Sequence, residues 1–171
     1  MADTVSPEVR ARMMSANGRR DTKPELFVRR FIHARGFRFR LDVGSLPGRP
    51  DIVLRRWNAA IFVHGCYWHR HPGCRFATTP KSNVEFWTAK FDRNRERDQA
   101  AVAALLALGW RVAVVWECGL RGHDRLSTLE GLTSWLSGDD RYAELPAARS
   151  ASPVGDSKGL PDSLSTPHRD R

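Results

Sequence analysis

The chain has 171 residues, enough for one domain with a buried core, and its 28 Lys and Arg against 19 Asp and Glu give a formal net charge of +9. No apolar run approaches the length of a membrane span, no N-terminal signal pattern occurs, and three cysteines do not make a secreted disulfide framework. We therefore expect a cytoplasmic protein whose basic surface favours a polyanionic partner such as nucleic acid.

The first elements in chain order are predicted to be helical. Residues 1–20 form an arm with a short predicted helix, because Pro7 is suited to a first helical position. A second helix is predicted to begin at Thr22, with Glu25 three positions later. Residues 37–41 then alternate apolar and basic side chains, which predicts a half-buried strand.

Two short apolar runs follow, at residues 52–54 and 59–63. Their continuous apolar character predicts strands of a sheet that is covered on both faces. If they pair as a hairpin across residues 55–58, Asp51 and His64 meet at one edge of the sheet. A carboxylate beside an imidazole at such an edge can hold a hard cation and a proton-transfer group together.

The second half of the chain predicts further helices and a strand. A long helix is expected from residue 84 to 108, followed by a central strand at residues 110–116. Ser127 and Glu130 are spaced as a capping box for a last helix. From residue 139 onward Ser, Pro, Asp and Gly dominate, which predicts a disordered tail over residues 139–171.

A zinc site is predicted from the cysteines. Cys66, His71 and Cys74 lie within nine residues, and Cys118 follows the predicted central strand. Zinc takes four such ligands in a tetrahedral array when its role is structural. His69 competes with His71 for the histidine position, and three unconnected buried thiols are the alternative.

Asp51 is the candidate ligand for a catalytic metal. Pro50-Asp51 before a strand is typical of the first half of P-D…(D/E)-x-K nuclease sites, but where the usual acid and lysine would stand this chain has Val63, His64 and then Gly65. The Val63 carbonyl can ligate Mg²⁺, and the role of the lysine would pass to a histidine. The alternative is that Asp51 is a turn residue at a strand end.

Two other acids have both a functional and a structural interpretation. Glu25 is either an acid near the metal or one half of a capping box with Thr22, and both can hold at once. Asp98 lies in a run of charges on the long helix, where it either faces solvent or holds a histidine in one tautomer.

Aromatic residues flank the predicted metal loop. Tyr67 and Trp68 lie inside it, and Phe86 and Trp87 begin the long helix. Large apolar side chains in loops with nearby arginines can wedge between base pairs. Burial in the core is the better interpretation for the remaining tryptophans considered, namely Trp110, Trp116 and Trp135.

A resemblance to a known family rests on motifs that recur in order along residues 5–137. They are Arg20-Asp21-Thr22, Ser45-Leu46-Pro47-Gly48-Arg49-Pro50-Asp51, Phe62-x-His64-Gly65-Cys66-x-Trp68-His69, Glu85-Phe86-Trp87, Glu96-Arg97-Asp98, and Leu108-Gly109-Trp110-Arg111-Val112 through Val115-Trp116-Glu117-Cys118. With these motifs the chain resembles the very short patch repair endonucleases, which nick one DNA strand at T·G mismatches.

The resemblance implies a restriction-endonuclease-like α/β fold of the PD-(D/E)xK type over residues 21–138. Such a fold has a central mixed sheet flanked by helices and, in this family, a structural zinc. The implied activity is Mg²⁺-dependent hydrolysis of the phosphodiester bond 5′ to the thymine of a T·G mismatch that arises from deaminated 5-methylcytosine. The implied setting is a monomer that acts on double-stranded DNA in the bacterial cytoplasm, with mismatch-repair proteins as candidate partners.

The implied catalytic residues surround one phosphate and its metal: Asp51, His69, His64, Glu25 and Asp98. Asp51 and the Val63 carbonyl would hold Mg²⁺. His69 would be the general base, supported by Asp98. Valine at position 63 keeps the carbonyl but lacks the hydroxyl of the threonine that is frequent in the family.

The resemblance also assigns zinc ligands and DNA contacts. The zinc ligands would be Cys66, His71, Cys74 and Cys118. The DNA contacts would be a clamp around Met14 and a wedge made of Tyr67, Trp68 and Trp87.

Two other functions remain open at this stage. One is a restriction-type nuclease of different specificity, which should cut matched and mismatched duplexes alike. The other is a non-catalytic, zinc-stabilised DNA-binding module, which would need neither Asp51 nor His69.

Overall fold

The structure, a computed structural model, describes residues 21–41 and 43–146. The predicted N-terminal helix, the proposed clamp at Met14 and most of the predicted tail therefore lie outside the described residues. Within the described ranges, no helix is long and apolar enough to cross a membrane.

A four-stranded mixed sheet forms the centre of the fold. Its strands β1 (Ile52–Leu54), β2 (Ala59–His64), β3 (Arg111–Trp116) and β4 (Tyr142–Leu145) lie side by side in that order. The first pair is antiparallel, and the other two pairs are parallel. The predicted mixed sheet flanked by helices is confirmed.

In the described part of the chain, four helices surround the sheet: α1 (Lys23–Ala34), the one-turn α2 (Cys66–His69), α3 (Val84–Ala107) and α4 (Asp124–Ser137). Parallel neighbours need a crossover connection, and the segments that contain α3 and α4 supply the two that this sheet requires. The long predicted helix and the predicted central strand are thus confirmed to within a few residues.

Both faces of the sheet are buried, which explains the continuous apolar runs of its strands. One cluster joins α1 and α4 to the sheet through residues such as Ile32, Leu132 and Ile61. A second cluster joins α3 to the opposite face, with Leu105 packed near Phe62. Strands enclosed in this way have no polar face to alternate with an apolar one.

The topology brings several strand ends to one edge. Parallel β2, β3 and β4 all end there, and antiparallel β1 begins there. Gly48, at φ +71°, lets the preceding loop pass α3, because a Cβ at this position would lie 2.5 Å from the Cβ of Ala101. Asp51 and His64 consequently meet at this edge, as the predicted hairpin requires.

Two local predictions are wrong. Residues 37–41 do not form a strand, because the neighbouring β1 is only three residues long and only Arg40 bridges to it, at Val53. The last helix is not capped by Ser127, since it already begins at Asp124 without a side-chain cap. Ser127 therefore lies inside the helix.

The predicted disorder from residue 139 onward is also wrong for the described part of that segment. Tyr142–Leu145 form β4, and Ala143 and Leu145 pack against the core on one side of this strand. Two alternating apolar positions are too weak a signal to stand out from a polar, proline-rich composition. The remaining 25 residues, 147–171, lie outside the described ranges.

Candidate active site and metal centre

Asp51 stands at the sheet edge with one carboxylate oxygen engaged. Its Oδ2 accepts a hydrogen bond from the Val63 amide at 2.7 Å, and Oδ1 has no partner among the described residues. The β1–β2 register, continued by two residues, sets Val63 opposite Pro50, which has no N–H to donate. An oxygen of Asp51 and the Val63 carbonyl are therefore two ligands suited to a hard cation.

Burial raises the pKa of Asp51 from 3.8 to about 6. The Val63 amide opposes this shift, the carboxylate of Glu25 adds to it, and the charges of Arg29 and His69 oppose it. The carboxylate is thus only partly compensated by its protein neighbours. A bound cation would compensate it further and release its proton.

Glu25 is buried, and its partners lie on its own helix or immediately before it. Its Oε1 accepts from the Thr22 hydroxyl at 2.8 Å, and its Oε2 accepts from the Asp21 amide at 3.0 Å and from Arg29 at 2.7 Å. Thr22 is the N-cap of α1 and accepts from the Glu25 amide. The predicted capping box is confirmed, and the charge of the same carboxylate adds to the rise in the pKa of Asp51.

His69 is held between a carboxylate and a second imidazole. Its Nδ1 pairs with Asp98, so the neutral ring carries its lone pair on Nε2. His64 stacks on it with ring centroids 3.9 Å apart and ring planes inclined by 6°. The ring of His69 is therefore fixed in orientation, as a general base requires.

The surroundings set the charges of these partners. Burial lowers the pKa of His64 to about 3, so this ring is neutral at physiological pH. Burial alone would raise the pKa of Asp98, but the hydrogen bond with His69 and the neighbouring positive charges together outweigh burial and lower that pKa.

The same three residues form a poor metal site despite their proximity. Their ligand atoms lie within 4.8 Å of one another. However, a metal ion must lie near the plane of each imidazole that binds it, and two parallel rings 3.9 Å apart cannot share such an ion. His64, His69 and Asp98 suit proton transfer better than chelation.

A separate cluster collects the cysteines. The ligand atoms of Cys66, His71, Cys74 and Cys118 all lie within 4.8 Å of one another. His71 Nδ1 lies 3.8 Å from the sulfur of Cys66 and 3.3 Å from that of Cys118. Usual zinc bond lengths put a nitrogen and a sulfur about 3.6 Å apart on a tetrahedral ion, so these residues fit a structural zinc.

The chemistry of the thiols supports a cation at this cluster. Burial raises the pKa of both Cys66 and Cys118, and the neighbouring Cys74 thiol adds to the rise at each. Three thiolates crowded together are unfavourable without a positive charge among them. A soft divalent ion supplies that charge and deprotonates its cysteine ligands.

The short helix α2 separates the two histidines that sequence could not distinguish. Its C-cap, Arg70, adopts the left-handed conformation at φ +55°, which reverses the chain immediately after His69. His69 thus points to Asp98 and His71 to the cysteines, with Trp116 packed against His71 at 4.3 Å.

The predicted wedge residues lie together beside α3. Tyr67 contacts Trp68 at 5.0 Å and Trp87 at 6.4 Å between ring centroids, and Lys90 lies over the rings of Trp68 and Trp87. Trp87 is only 8% exposed, whereas its neighbour Phe86 is 57% exposed. The helix α3 therefore presents Phe86, rather than Trp87, to solvent.

A cavity of about 300 Å³ opens behind the two stacked histidines. His64, His69 and Asp98 line one side, and Tyr142 and Glu144 of β4 line another. Sequence analysis missed the two β4 residues, because they fall in the segment predicted to be disordered.

Arg29 was also missed. The spacing of Glu25 and Arg29, four residues apart on a predicted helix, was the available signal for an ion pair. Sequence could not show that this pair is buried and close to Asp51.

Comparison with known proteins gives a consistent set of relatives. A family model described as DNA mismatch endonuclease Vsr matches residues 2–75. The Type II nicking enzyme V.XorIIP of Xanthomonas oryzae is 50% identical over 120 residues, which cover 70% of this chain and 88% of that protein. The DNA mismatch endonuclease Vsr of Escherichia coli is 39% identical over 148 residues, which cover 85% and 94% respectively. The Type II nicking enzyme V.NmeAIP of Neisseria meningitidis is 40% identical over 133 residues, covering 75% and 94%.

Proposed function

The chain belongs to the Vsr family of DNA mismatch endonucleases, and from that membership we propose that it nicks one strand of duplex DNA 5′ to the thymine of a T·G mismatch. Membership makes it a nuclease that hydrolyses phosphodiester bonds. The finer proposal is that its substrates arise by deamination of 5-methylcytosine. The observation that supports the nicking activity is that Asp51 and the His69–Asp98 pair lie at the same edge of the sheet.

We propose Mg²⁺ as the catalytic ion, held by Asp51 and the Val63 carbonyl. Both groups offer oxygen, which Mg²⁺ prefers, and the site has few protein ligands, as Mg²⁺ sites on phosphate substrates usually do. When bound, the ion supplies positive charge to a phosphoryl group during hydrolysis. Glu25 has its oxygens engaged on α1 and would act from outside the ligand set.

His69 is proposed as the general base that takes the proton from the attacking water. Asp98 holds Nδ1, which leaves Nε2 as the proton acceptor, and stabilises the charged ring that results. His64 stacks as a neutral ring beneath it and fixes its orientation. Without Asp98 the ring could turn or adopt the other tautomer.

We propose zinc for the cluster of Cys66, His71, Cys74 and Cys118, where it would have a structural role. The four ligands tie the loop after β2 to the end of β3. They thereby hold α2, which carries His69 and two of the wedge residues. Met14, Tyr67, Trp68 and Trp87 remain the proposed DNA contacts, and the wedge would use the lower stacking energy of a mismatched step.

The remaining proposals concern fold and setting. The antiparallel hairpin that presents Asp51, followed by parallel strands, is compatible with the restriction-endonuclease-like fold of the PD-(D/E)xK type. We propose a monomer that acts on the nucleoid, with mismatch-repair proteins as candidate partners, and the bacterial relatives are consistent with action in the cytoplasm.

The test is a nicking assay with Mg²⁺ on end-labelled duplexes that differ only in one T·G or T·A pair. We expect a cut 5′ to the mismatched thymine, no cut in the T·A duplex, and no cut by Asp51→Ala. Arg56→Ala, at an exposed turn on the opposite end of β1, is the matched control and should cut normally. Equal cutting of both duplexes would instead indicate a nuclease of other specificity.

A further inference from the structure

The outer strand β4 carries a carboxylate beside the cavity behind the two stacked histidines. Tyr142 and Glu144 are two positions apart, so their side chains leave the same face of the strand. Both line the cavity of about 300 Å³, which is also lined by His64 and His69. The last strand in the order of the sheet therefore adds polar side chains to the wall behind the proposed general base.

Glu144 uses both of its oxygens within the protein. Its Oε2 accepts a hydrogen bond from the indole N–H of Trp116 at 3.3 Å, and its Oε1 accepts from the hydroxyl of Tyr142. Trp116 is only 6% exposed, and a buried indole N–H needs an acceptor. Glu144 thus sets the direction of the Trp116 ring, while Tyr142 holds Glu144 in place.

The Trp116 ring in turn contacts the reactive pair. It lies edge-on to His64, with ring centroids 5.4 Å apart and ring planes inclined by 69°. His64 stacks on His69 at 3.9 Å, and His69 pairs with Asp98. Aromatic contacts at these separations attract and orient both rings. A continuous series of contacts therefore joins Glu144 on β4 to the proposed general base.

The cavity explains why the Trp116 ring needs a fixed acceptor. A ring in a close-packed interior is held in place by its neighbours alone. Trp116 lines the cavity, however, so part of its surroundings is open space into which the ring can turn. It also stacks on His71 at 4.3 Å, but stacking fixes the plane of a ring more firmly than its position within that plane. The hydrogen bond to Glu144 supplies the remaining constraint.

We propose that Glu144 is a positioning residue for the nicking reaction, which acts through Trp116 and His64 on the orientation of His69. The inference rests on the proposed function, because it takes His69 as the general base. A carboxylate is not required as such, since an amide oxygen also accepts from an indole N–H. Small displacements of a catalytic group slow the chemical step strongly.

The experiment compares Glu144→Ala with Glu144→Gln in the full chain, loaded with zinc. Single-turnover nicking of an end-labelled T·G duplex is measured with Mg²⁺, and duplex affinity is measured without it. We expect Glu144→Ala to nick about tenfold more slowly, less than the roughly 10²-fold cost of a displacement of 1 Å. Duplex affinity and zinc content should keep their wild-type values. Glu144→Gln should recover most of the rate.

Glu130→Ala is the matched control. Glu130 is an exposed carboxylate on α4, the helix that packs on the face of the sheet away from the cavity. This variant loses the same charge as Glu144→Ala and should nick at the wild-type rate.

Double variants test whether Glu144 acts through the proposed series of contacts. Trp116→Phe keeps a ring but lacks the N–H, so it should nick about as slowly as Glu144→Ala. Adding Glu144→Ala to Trp116→Phe, or to His69→Ala, should change the rate by less than about twofold, because residues that act as one unit are not additive.

The ring of His64 gives a readout that does not depend on nicking. In protein labelled with ¹³C at histidine, the His64 ring signal is identified by its loss in His64→Asn. This signal should shift and broaden in Glu144→Ala, because the Trp116 ring beside it is no longer fixed, and it should return to its wild-type position in Glu144→Gln.

A wild-type rate in folded Glu144→Ala would overturn the proposal, as would a tenfold loss from Glu144→Ala in the His69→Ala background. Loss of zinc, or failure of Glu144→Gln to restore the rate, would also overturn it by showing that Glu144 supports another part of the fold. If Glu144→Ala does not fold, a wild-type rate in Trp116→Phe has the same consequence. A wild-type chain that does not nick the T·G duplex would contradict the proposed function, whereas the His64 signal would still test the contacts.

Discussion

The two ends of one helical turn serve two different kinds of site. Cys66 begins α2 and joins a cluster of sulfur ligands, while His69 ends it and joins Asp98 beside Asp51. The sulfur cluster brings four protein ligands together, so a zinc ion bound there would be enclosed by protein. The proposed Mg²⁺ site would use one carboxylate and one carbonyl and would leave positions for water and phosphate.

This difference teaches how stability and reactivity are divided within a small domain. A metal with four protein ligands stabilises the fold, whereas a metal with few protein ligands keeps coordination positions free for the substrate. Trp116 lies between them, stacked on His71 and in edge contact with His64 at 5.4 Å. The structural site can thereby hold the reactive one in position without taking part in the reaction.

The largest effect should come from breaking the sulfur cluster. Cys118→Ser removes one zinc ligand, and zinc binding in small domains is worth on the order of 10 kcal/mol. We expect zinc to be lost and the thermal midpoint to fall by about 10 °C or more, as a loss of about 3 kcal/mol would already produce. Zinc content by mass spectrometry and a thermal melt check this. Retained zinc with an unchanged melt would show that Cys118 is not a ligand.

The second largest effect is expected at His69, in the proposed reactive site. His69→Ala should slow nicking by about 10²–10⁴-fold, because that is what a general base contributes, while the melt stays within a few degrees of the wild type. Asp98→Asn should give a smaller loss by permitting the wrong tautomer. Single-turnover nicking rates provide the measurement. Wild-type rates in His69→Ala would assign the proton transfer to another group.

Phe86 and Trp87 are adjacent on α3 but differ in solvent exposure. Trp87→Ala should cost about 3–5 kcal/mol of stability, as buried tryptophans do, whereas Phe86→Ala should stay within about 0.5 kcal/mol. Urea unfolding measures both. Equal costs would mean that the packing around Trp87 is looser than its burial indicates.

The smallest effect concerns Asp51 in protein without added Mg²⁺. Its folded pKa is about 6 against an ordinary value of 3.8, so folding favours the protonated acid. That contribution is complete below 3.8 and disappears as the pH rises through about 6. Asp51→Asn should therefore gain stability relative to the wild type between pH 4 and 7, by about 3 kcal/mol at most. Urea unfolding at several pH values tests the sign, and a variant that is less stable at pH 8 than at pH 5, relative to wild type, would contradict it.

Much of the site followed from sequence because its signals are local. Asp51 before one apolar run and His64 after the next required only a hairpin to bring them together, and the register confirms that hairpin. Three cysteines with one nearby histidine similarly indicated a cluster, and the structure brings all four residues together.

The parts of the site that sequence did not predict depend on structural features that produce no recognisable sequence pattern. The assignment of His69 and His71 to different sites rests on the left-handed conformation of Arg70, which sequence does not encode clearly. The strand β4 packs only two residues, Ala143 and Leu145, against the core, and its membership in the sheet depends on the neighbouring β3. The burial of Arg29 depends on how α1 packs against the sheet edge.

The measurement that tests this division most directly is a chelation and recovery experiment on one sample. The protein is treated briefly with EDTA, its zinc content and circular dichroism are recorded, and nicking of a T·G duplex is followed before and after Mg²⁺ is added. We predict that one zinc per chain and the folded spectrum remain, that nicking stops, and that Mg²⁺ alone restores it. Recovery that requires zinc, or loss of zinc without any change in fold, would contradict the separation of a structural sulfur site from a reactive oxygen site.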